Sequence, residues 1–196
     1  MGPTMDTNTR ILDAALRLFY QNGYDGTTTR AIAEGAGVNE VTLFRNFGSK
    51  EKIFLAVIER ETDVVADIEE FGLRPTGNVE DDLAKAGERI HHEMVSRAKL
   101  VKIAMVEASK DPRVWDSIGH VPFQVLGMLT RYFDEAKEAG YIRDVNSKLA
   151  AVTFFSFFFR SMVATAFLGQ DVFIKMSQET IREFAGIMAR GLVVEE

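Results

Sequence analysis

The chain has 196 residues, no cysteine and a formal net charge of −6 at pH 7. The lack of cysteine excludes disulfides, thiolate metal sites and cysteine nucleophiles, and the negative charge argues against binding of polyanions over the whole surface. The charge is uneven, because residues 1–52 hold six basic and six acidic residues, whereas residues 53–196 hold 17 basic and 23 acidic ones. Composition therefore divides the chain near residue 52. Residues 1–10 lack the apolar run of a signal peptide, so a cytoplasmic location is expected.

Short helices account for most of the first 50 residues. The first is predicted at about 8–22, where apolar residues recur at helical spacing. A second, capped by threonine hydroxyls, covers about 27–35, and Gly37 then makes a tight turn. Asn39 can cap a third helix that ends near Phe47. Two short helices joined by a tight turn have the spacing of a helix-turn-helix, in which the second helix enters the DNA major groove.

The third predicted helix has an inward and an outward face on a helical wheel. The inward arc, which can pack on the first two helices, consists of Leu43, Phe44 and Phe47. The outward arc offers Val41 to a thymine methyl, Arg45 to guanine or a phosphate, and the Thr42 hydroxyl. This face is the predicted reading surface.

Polar residues beside the third helix suit the DNA backbone. Arg30 is placed to reach the same groove, and Thr28 and Thr29 either offer hydroxyls to phosphates or serve only as helix caps. Lys50 opens the fourth predicted helix, where the helix dipole disfavours a cation unless a phosphate lies opposite. Glu40 can accept from a cytosine amine or simply favour the helix N-terminus.

The rest of the chain is also predicted to be helical. A helix over 50–71 precedes the linker-like stretch GLRPTGN. Further helices are predicted at about 79–97, 100–110, 112–138, 146–168 and 172–191, with a possible break near Gly119 and Pro122. No strand pattern, repeat or low-complexity tract is present. The predicted fold class is all-α, with about nine helices in a three-helix head and a larger body.

One segment, residues 149–168, is long and apolar enough to be tested as a membrane span. Arg160 near its middle would cost roughly 2.5–3.5 kcal/mol on insertion scales, and no second span exists. A helix that is apolar on most sides also suits a buried or interface position. We therefore expect no membrane partner.

An ordered set of motifs lies in residues 9–54. These are the ILDAALRLF helix, the GY-x-x-TT turn, IAEGAGV, and TLFRNF followed by SKE. The set resembles the N-terminal signature of TetR-family transcription regulators and covers about a quarter of the chain. The resemblance implies a homodimer that reads the half-sites of a near-palindromic double-stranded DNA operator. It makes residues 1–52 the DNA-binding domain and residues 53–196 the effector-binding and dimerisation domain.

By position, the resemblance assigns DNA contacts to the second and third helices, and Lys50 matches the family's phosphate-gripping lysine. Position 44 is often tyrosine in the family, with a hydroxyl that reaches a phosphate, and position 46 is often histidine. Phe44 lacks that hydroxyl, and Asn46 keeps hydrogen bonding without a titratable charge. The predicted DNA-binding residues are Thr28, Thr29, Arg30, Asn39, Glu40, Val41, Thr42, Phe44, Arg45, Asn46 and Lys50.

The resemblance also implies that the body binds a small molecule that separates the heads, with repression as the family default. Flexible Met and aromatic residues suit an adaptable apolar cavity, although core packing explains each one singly. We expect a hydrophobic effector. The predicted pocket residues are His92, Met94, Met105, Phe123, Phe158 and Met162. The last two long helices, at 146–168 and 172–191, are the expected homodimer surface, paired as a four-helix bundle.

No nucleophile–base set or phosphate loop is found, so no enzyme and no cofactor are predicted. Glu88 and His92 are four residues apart, but no third ligand lies within reach by sequence, so no metal site is predicted. The alternative function is a helical ligand-binding protein whose head contacts a protein partner. Sequence-specific binding of duplex DNA separates the two hypotheses.

Overall fold

The computed structural model describes residues 6–62, 72–170 and 173–193, with the backbone alone at 117–121. Within these residues every regular element is an α-helix, which confirms the predicted all-α class. The helices are α1 (Thr7–Asn22), α2 (Thr29–Ala36), α3 (Glu40–Phe47), α4 (Lys50–Thr62), α5 (Val79–Ala108), α6 (Arg113–Glu138), α7 (Ser147–Leu168) and α8 (Gln178–Leu192).

Three predicted helix boundaries need correction. The separate helices expected at 79–97 and 100–110 are one helix, α5, because no glycine or proline interrupts the sequence between Gly87 and Pro112. Helix α6 continues through Pro122 without the possible break. The last helix begins at Gln178, not near residue 172, because the Ser177 hydroxyl accepts from the Thr180 amide at 3.2 Å and caps it there.

Part of the predicted fourth helix, residues 63–71, lies outside the described residues, as do residues 171 and 172 at the expected start of the last helix. The other parts of these two predicted helices, within residues 50–62 and 173–193, are described, and they contain α4 and α8.

The chain forms two compact units. The first comprises residues 1–63 and 99–119, and the second comprises residues 64–98 and 120–196. Packing thus joins α4, the end of α5 and the start of α6 to the three N-terminal helices. The functional boundary after residue 52 stays a prediction.

The first unit has an apolar core of its own. Leu100 and Ala104, from the last turns of α5, are at most 1% exposed and belong to this core. The head therefore depends on residues about 50 positions downstream for part of its burial. The largest fully buried side chains from α1, α2 and α3 are Ile11, Phe19, Ile32 and Leu43.

The second unit is organised around α7. By length and composition this helix would pass as a membrane span, with a mean hydropathy of 1.6, a property that buried core helices share. Phe154 and Phe158 are fully buried, and both rings pack on Phe184 of α8, with centroids 5.5 and 5.9 Å away. The Arg160 guanidinium lies over the ring of Phe157. Aromatic packing thus holds α7 against α8.

Gly87→Ala is expected to lower the free energy of unfolding by about 1–3 kcal/mol through overpacking. A Cβ atom at Gly87 would lie 2.6 Å from Cζ of Phe158 and 2.9 Å from Cγ2 of Ile181. The matched control is Gly127→Ala in α6, where a Cβ would meet no described atom within 4 Å. That change should stabilise the helix by up to about 1 kcal/mol. Thermal unfolding followed by circular dichroism measures both, and a Gly87→Ala variant as stable as the control would contradict the close packing.

Candidate nucleic-acid interface

The turn between α2 and α3 is fixed by backbone and side-chain hydrogen bonds. Gly37 adopts a left-handed conformation (φ 66°, ψ 38°), which is strained for other residues and open to glycine. The Val38 amide donates to the Ala33 carbonyl at 3.0 Å. Nη1 of Arg10, from α1, donates to the Ala36 carbonyl at 3.1 Å. The last turn of α2 is thereby closed and tied to α1, as a recognition motif requires.

Both helices of the motif have side-chain caps. The Thr28 hydroxyl accepts from the Ala31 amide at 3.1 Å, and Oδ1 of Asn39 accepts from the Thr42 amide at 2.8 Å. The capping alternative for Thr28 is therefore observed, and Asn39 caps α3 as predicted. Both side chains remain exposed at the helix N-termini, where positive dipole ends favour phosphate groups.

A hydrogen bond links the N-termini of α2 and α3. The Thr29 hydroxyl donates to Oε1 of Glu40 at 2.8 Å. Nδ2 of Asn46, at the other end of α3, donates to Oδ1 of Asn8 in α1 at 2.8 Å. Three polar residues that the sequence offers as DNA contacts, Thr29, Glu40 and Asn46, thus orient α3 within the head.

The outward face of α3 carries Val41, Phe44 and Arg45, and Asn46 is exposed beside them. Leu43 is fully buried, as predicted for the inward arc. Phe44 is 44% exposed, so its assignment to that arc is wrong, and it lies three residues from Val41, which is 76% exposed. The Arg45 guanidinium is exposed and makes no ion pair or hydrogen bond with any residue that the structure describes. An unengaged cation therefore adjoins two exposed apolar side chains.

The other two predicted cations are engaged within the head. Nζ of Lys50 donates to the carbonyls of Tyr24 and Thr27, both at 3.0 Å, and lies 4.2 Å from the centroid of the Tyr24 ring. At most one of its three hydrogens is left for a phosphate. Arg30 pairs with Glu34 at 3.0 Å, and this hydrogen bond raises the pKa of Arg30. The hydrogen bonds to the Tyr24 and Thr27 carbonyls are a sufficient reason for a lysine at the start of α4, even in the absence of a phosphate.

Acidic residues surround the loop between α1 and α2. Burial, and then the negative charges of Glu51 and Glu107, raise the pKa of Tyr24 to about 12. Nζ of Lys110 contacts Oδ2 of Asp25 at 3.0 Å and Oε1 of Glu107 at 2.9 Å. The surface around Asp25 and Glu107 is therefore unsuited to a polyanion, so the α3 face is the better candidate.

Comparison with known proteins identifies the family. A family model described as bacterial regulatory proteins, tetR family, matches residues 11–57. The HTH-type transcriptional regulator YvkB of Bacillus subtilis, itself uncharacterised, is 33% identical over 177 residues, which cover 90% of this chain and 92% of that protein. The chain belongs to the TetR family. It is a helix-turn-helix transcriptional regulator and not an enzyme.

Solved structures of TetR-family type share the fold. A TetR-family transcriptional regulator from Mesorhizobium loti superposes with a TM-score of 0.77 at 22% identity, covering 96% of this chain and 97% of that one. A transcriptional regulator from Saccharomonospora viridis, in complex with choline, superposes with a TM-score of 0.75 at 16% identity, covering 98% and 100%. These likenesses show that the fold is shared over nearly the whole chain.

The six residues predicted to form an effector pocket have different surroundings in this TetR-family chain. Phe158 and Met162 are buried, and Met94 packs against the core of the second unit. Phe123 is 74% exposed, and Met105 belongs to the first unit. His92 is the one predicted residue that lines a described cleft. Which of the six contact an effector stays a prediction.

That cleft, in the second unit, has a volume of about 480 Å³ and lies between α5 and the start of α8. Helical spacing places its α5 residues on one face, a signal that the sequence carries. The sequence does not predict the contribution of the segment before α8, because only tertiary packing brings that segment to the cleft. The lining residues are Glu88, His91, His92, Val95, Ser96, Met176, Ser177, Gln178 and Ile181. Among the described residues no group of three His, Cys, Asp or Glu side chains is arranged to hold a metal ion.

Proposed function

We propose that the chain is a ligand-responsive repressor that binds a near-palindromic operator as a homodimer and leaves it when a small effector binds. The observation that carries the proposal is the exposed face of α3, with Val41, Phe44 and Arg45, in a TetR-family helix-turn-helix. Such a face fits the major groove, whose base edges take a guanidinium and apolar groups.

Local charge supports this role despite the net charge of −6. Arg45 has no described partner to displace, and the N-termini of α2 and α3 present backbone amides to phosphates. The proposed contacts to the DNA backbone lie around Arg45. They are Thr28, Thr29, Arg30, Asn39, Thr42 and Lys50. Because only Arg30 and Lys50 among these residues are cationic, affinity depends on two heads binding together.

A homodimer through α7 and α8 is supported by apolar exposure on both helices. Leu149, Val152 and Phe159 are exposed on α7, and Ile187 is 61% exposed on α8. Leu149, Val152 and Phe159 lie three and then seven residues apart, so they share one face. Large exposed apolar faces are rare on monomers, and a second copy of the same helices would cover this one.

The cleft beside His92 is the proposed effector site. Its walls combine apolar side chains (Val95, Met176, Ile181) with hydrogen-bonding groups (Ser96, Ser177). This mixture suits a small amphiphilic molecule with an apolar body and a polar end. Composition alone predicts a hydrophobic effector, and the cleft adds the polar end. A protein of the same fold was solved in complex with choline, so the fold accommodates a small ligand.

A cytoplasmic location follows from the proposed function, because a bacterial operator is accessible there. No cofactor is required by the proposed cycle of binding and release, and a membrane partner forms no part of it.

Two experiments with the full chain test the proposal, and the first addresses operator binding. Repeated selection from a random duplex library should yield an inverted repeat, bound with an affinity that falls steeply as salt rises. Equal binding of all duplexes would overturn the proposed function and favour a head that contacts a protein partner.

Filling the cleft is expected to abolish effector response while leaving operator binding intact. Ser96→Trp places a large ring in the cleft, and Ser109→Trp is the matched control on an exposed residue outside it. Thermal-shift screening would use fatty acids, acyl-CoAs, choline and cationic dyes. A ligand at 100 times its Kd stabilises by about 2.7 kcal/mol, or roughly 5–10 °C at this size. Ser96→Trp should lose that shift and remain on DNA, and normal release from this variant would place the effector elsewhere.

A further inference from the structure

We propose that α3 reads its operator largely through apolar contacts, with Val41 and Phe44 packing against the C5-methyl groups of thymines next to a guanine contacted by Arg45. This inference rests on the proposed operator binding and names the base chemistry that the same face recognises.

The first support is the arrangement of apolar groups on α3. Val41 is 76% exposed and Phe44 is 44% exposed, on a helix of eight residues. Residues three and four positions apart are neighbours on a helix surface, so Val41, Phe44 and Arg45 form one continuous patch. A single exposed apolar side chain needs no explanation, but two adjacent ones on a DNA-facing surface do.

The second support is that polar neighbours on the same helix are already held. Glu40 accepts from Thr29, and Asn46 donates to Asn8. Asn39 caps the helix through its Oδ1. On α3 this leaves Arg45 and the half-buried Thr42 hydroxyl to bond base edges, beside the exposed apolar side chains of Val41 and Phe44.

Major-groove chemistry then identifies the partner of the apolar patch. Among the base-edge groups in that groove the thymine C5-methyl is the apolar one, whereas the others are donors or acceptors. Residues four apart are about 6 Å apart along a helix, which is close to two base-pair steps. The operator half-site should therefore contain a thymine within one or two base pairs of a guanine.

The test uses the selected operator, with each thymine replaced in turn by deoxyuridine, which removes only the methyl group. Binding of the full chain is followed by fluorescence anisotropy at fixed salt. At one or two thymines per half-site the affinity should fall roughly fourfold, the equivalent of one buried methyl group. The penalty should disappear in Val41→Ser or Phe44→Ser, because those variants no longer contact the methyl. Val106→Ser, an exposed valine on α5, is the matched control and should keep the full penalty.

Two results would overturn the inference while leaving operator binding in place. One is that deoxyuridine is tolerated at every position by the wild-type chain. The other is that both α3 variants retain the full deoxyuridine penalty. If selection yields no preferred duplex at all, the proposed function itself fails, and the inference falls with it.

Discussion

Arg45→Ala is expected to weaken binding of the selected operator by at least about 30-fold and to remove the preference at one base pair of each half-site. A bidentate arginine–guanine contact is worth about 1–3 kcal/mol, and each 1.4 kcal/mol is a factor of ten in affinity. A dimer loses one such contact in each half-site, so the total loss is about 2–6 kcal/mol, whose lower end corresponds to about 30-fold. Because Arg45 contacts no described partner, its removal should leave the thermal stability unchanged.

The measurement compares the selected operator with a scrambled duplex of the same composition. Arg131→Ala, which removes an exposed arginine from α6, is the control for a change in net charge. It should lower the affinity for both duplexes slightly and equally, whereas Arg45→Ala should bring the two affinities together. Sedimentation velocity checks that the oligomeric state is unchanged. Retention of the original sequence preference by Arg45→Ala would show that another side chain reads the guanine.

The helix-turn-helix could be predicted from sequence because its determinants are local. Gly37, the cap at Asn39 and the buried position of Leu43 depend on neighbours within a few residues, and each is found where expected. Phe44 was misassigned because it falls at the edge of the apolar arc. The exposure of Phe44 depends on how α3 packs against α1 and α2, and a helical wheel carries no information about that packing.

The contacts of Lys50 and the cleft beside His92 could not be predicted, because both depend on segments distant in sequence. Lys50 contacts carbonyls 23 and 26 residues upstream. Helix α5 supplies one wall of the cleft, but Met176 to Ile181 reach it only through tertiary packing. Composition points to Phe and Met residues such as Phe158, which is part of the core of the second unit.

Asp82→Ala is expected to lower the free energy of unfolding by about 3–5 kcal/mol, the largest stability effect predicted for this chain. Asp82 is 4% exposed, and its carboxylate accepts from the Thr76 hydroxyl at 2.7 Å, the Thr76 amide at 2.9 Å and the Tyr132 hydroxyl at 3.0 Å. Hydrogen bonds to a charged group contribute roughly 1.5 kcal/mol or more each, and their loss leaves buried donors without an acceptor. Burial, together with the Asp82 charge, raises the pKa of Tyr132, so this phenol stays a donor at neutral pH.

The adjacent Asp81 provides the control, because its ion pair with Lys85 at 2.7 Å lies on the surface. Asp81→Ala should lower the stability far less, since exposed ion pairs contribute little. Tyr132→Phe should fall between the two, because it removes one of the three bonds and leaves the Thr76 contacts in place. Urea unfolding followed by circular dichroism measures all three variants. If Asp82→Ala lowered the free energy of unfolding no more than Asp81→Ala, the Asp82 carboxylate would not be holding the segment before α5 to α6. Another interaction would then have to hold that segment.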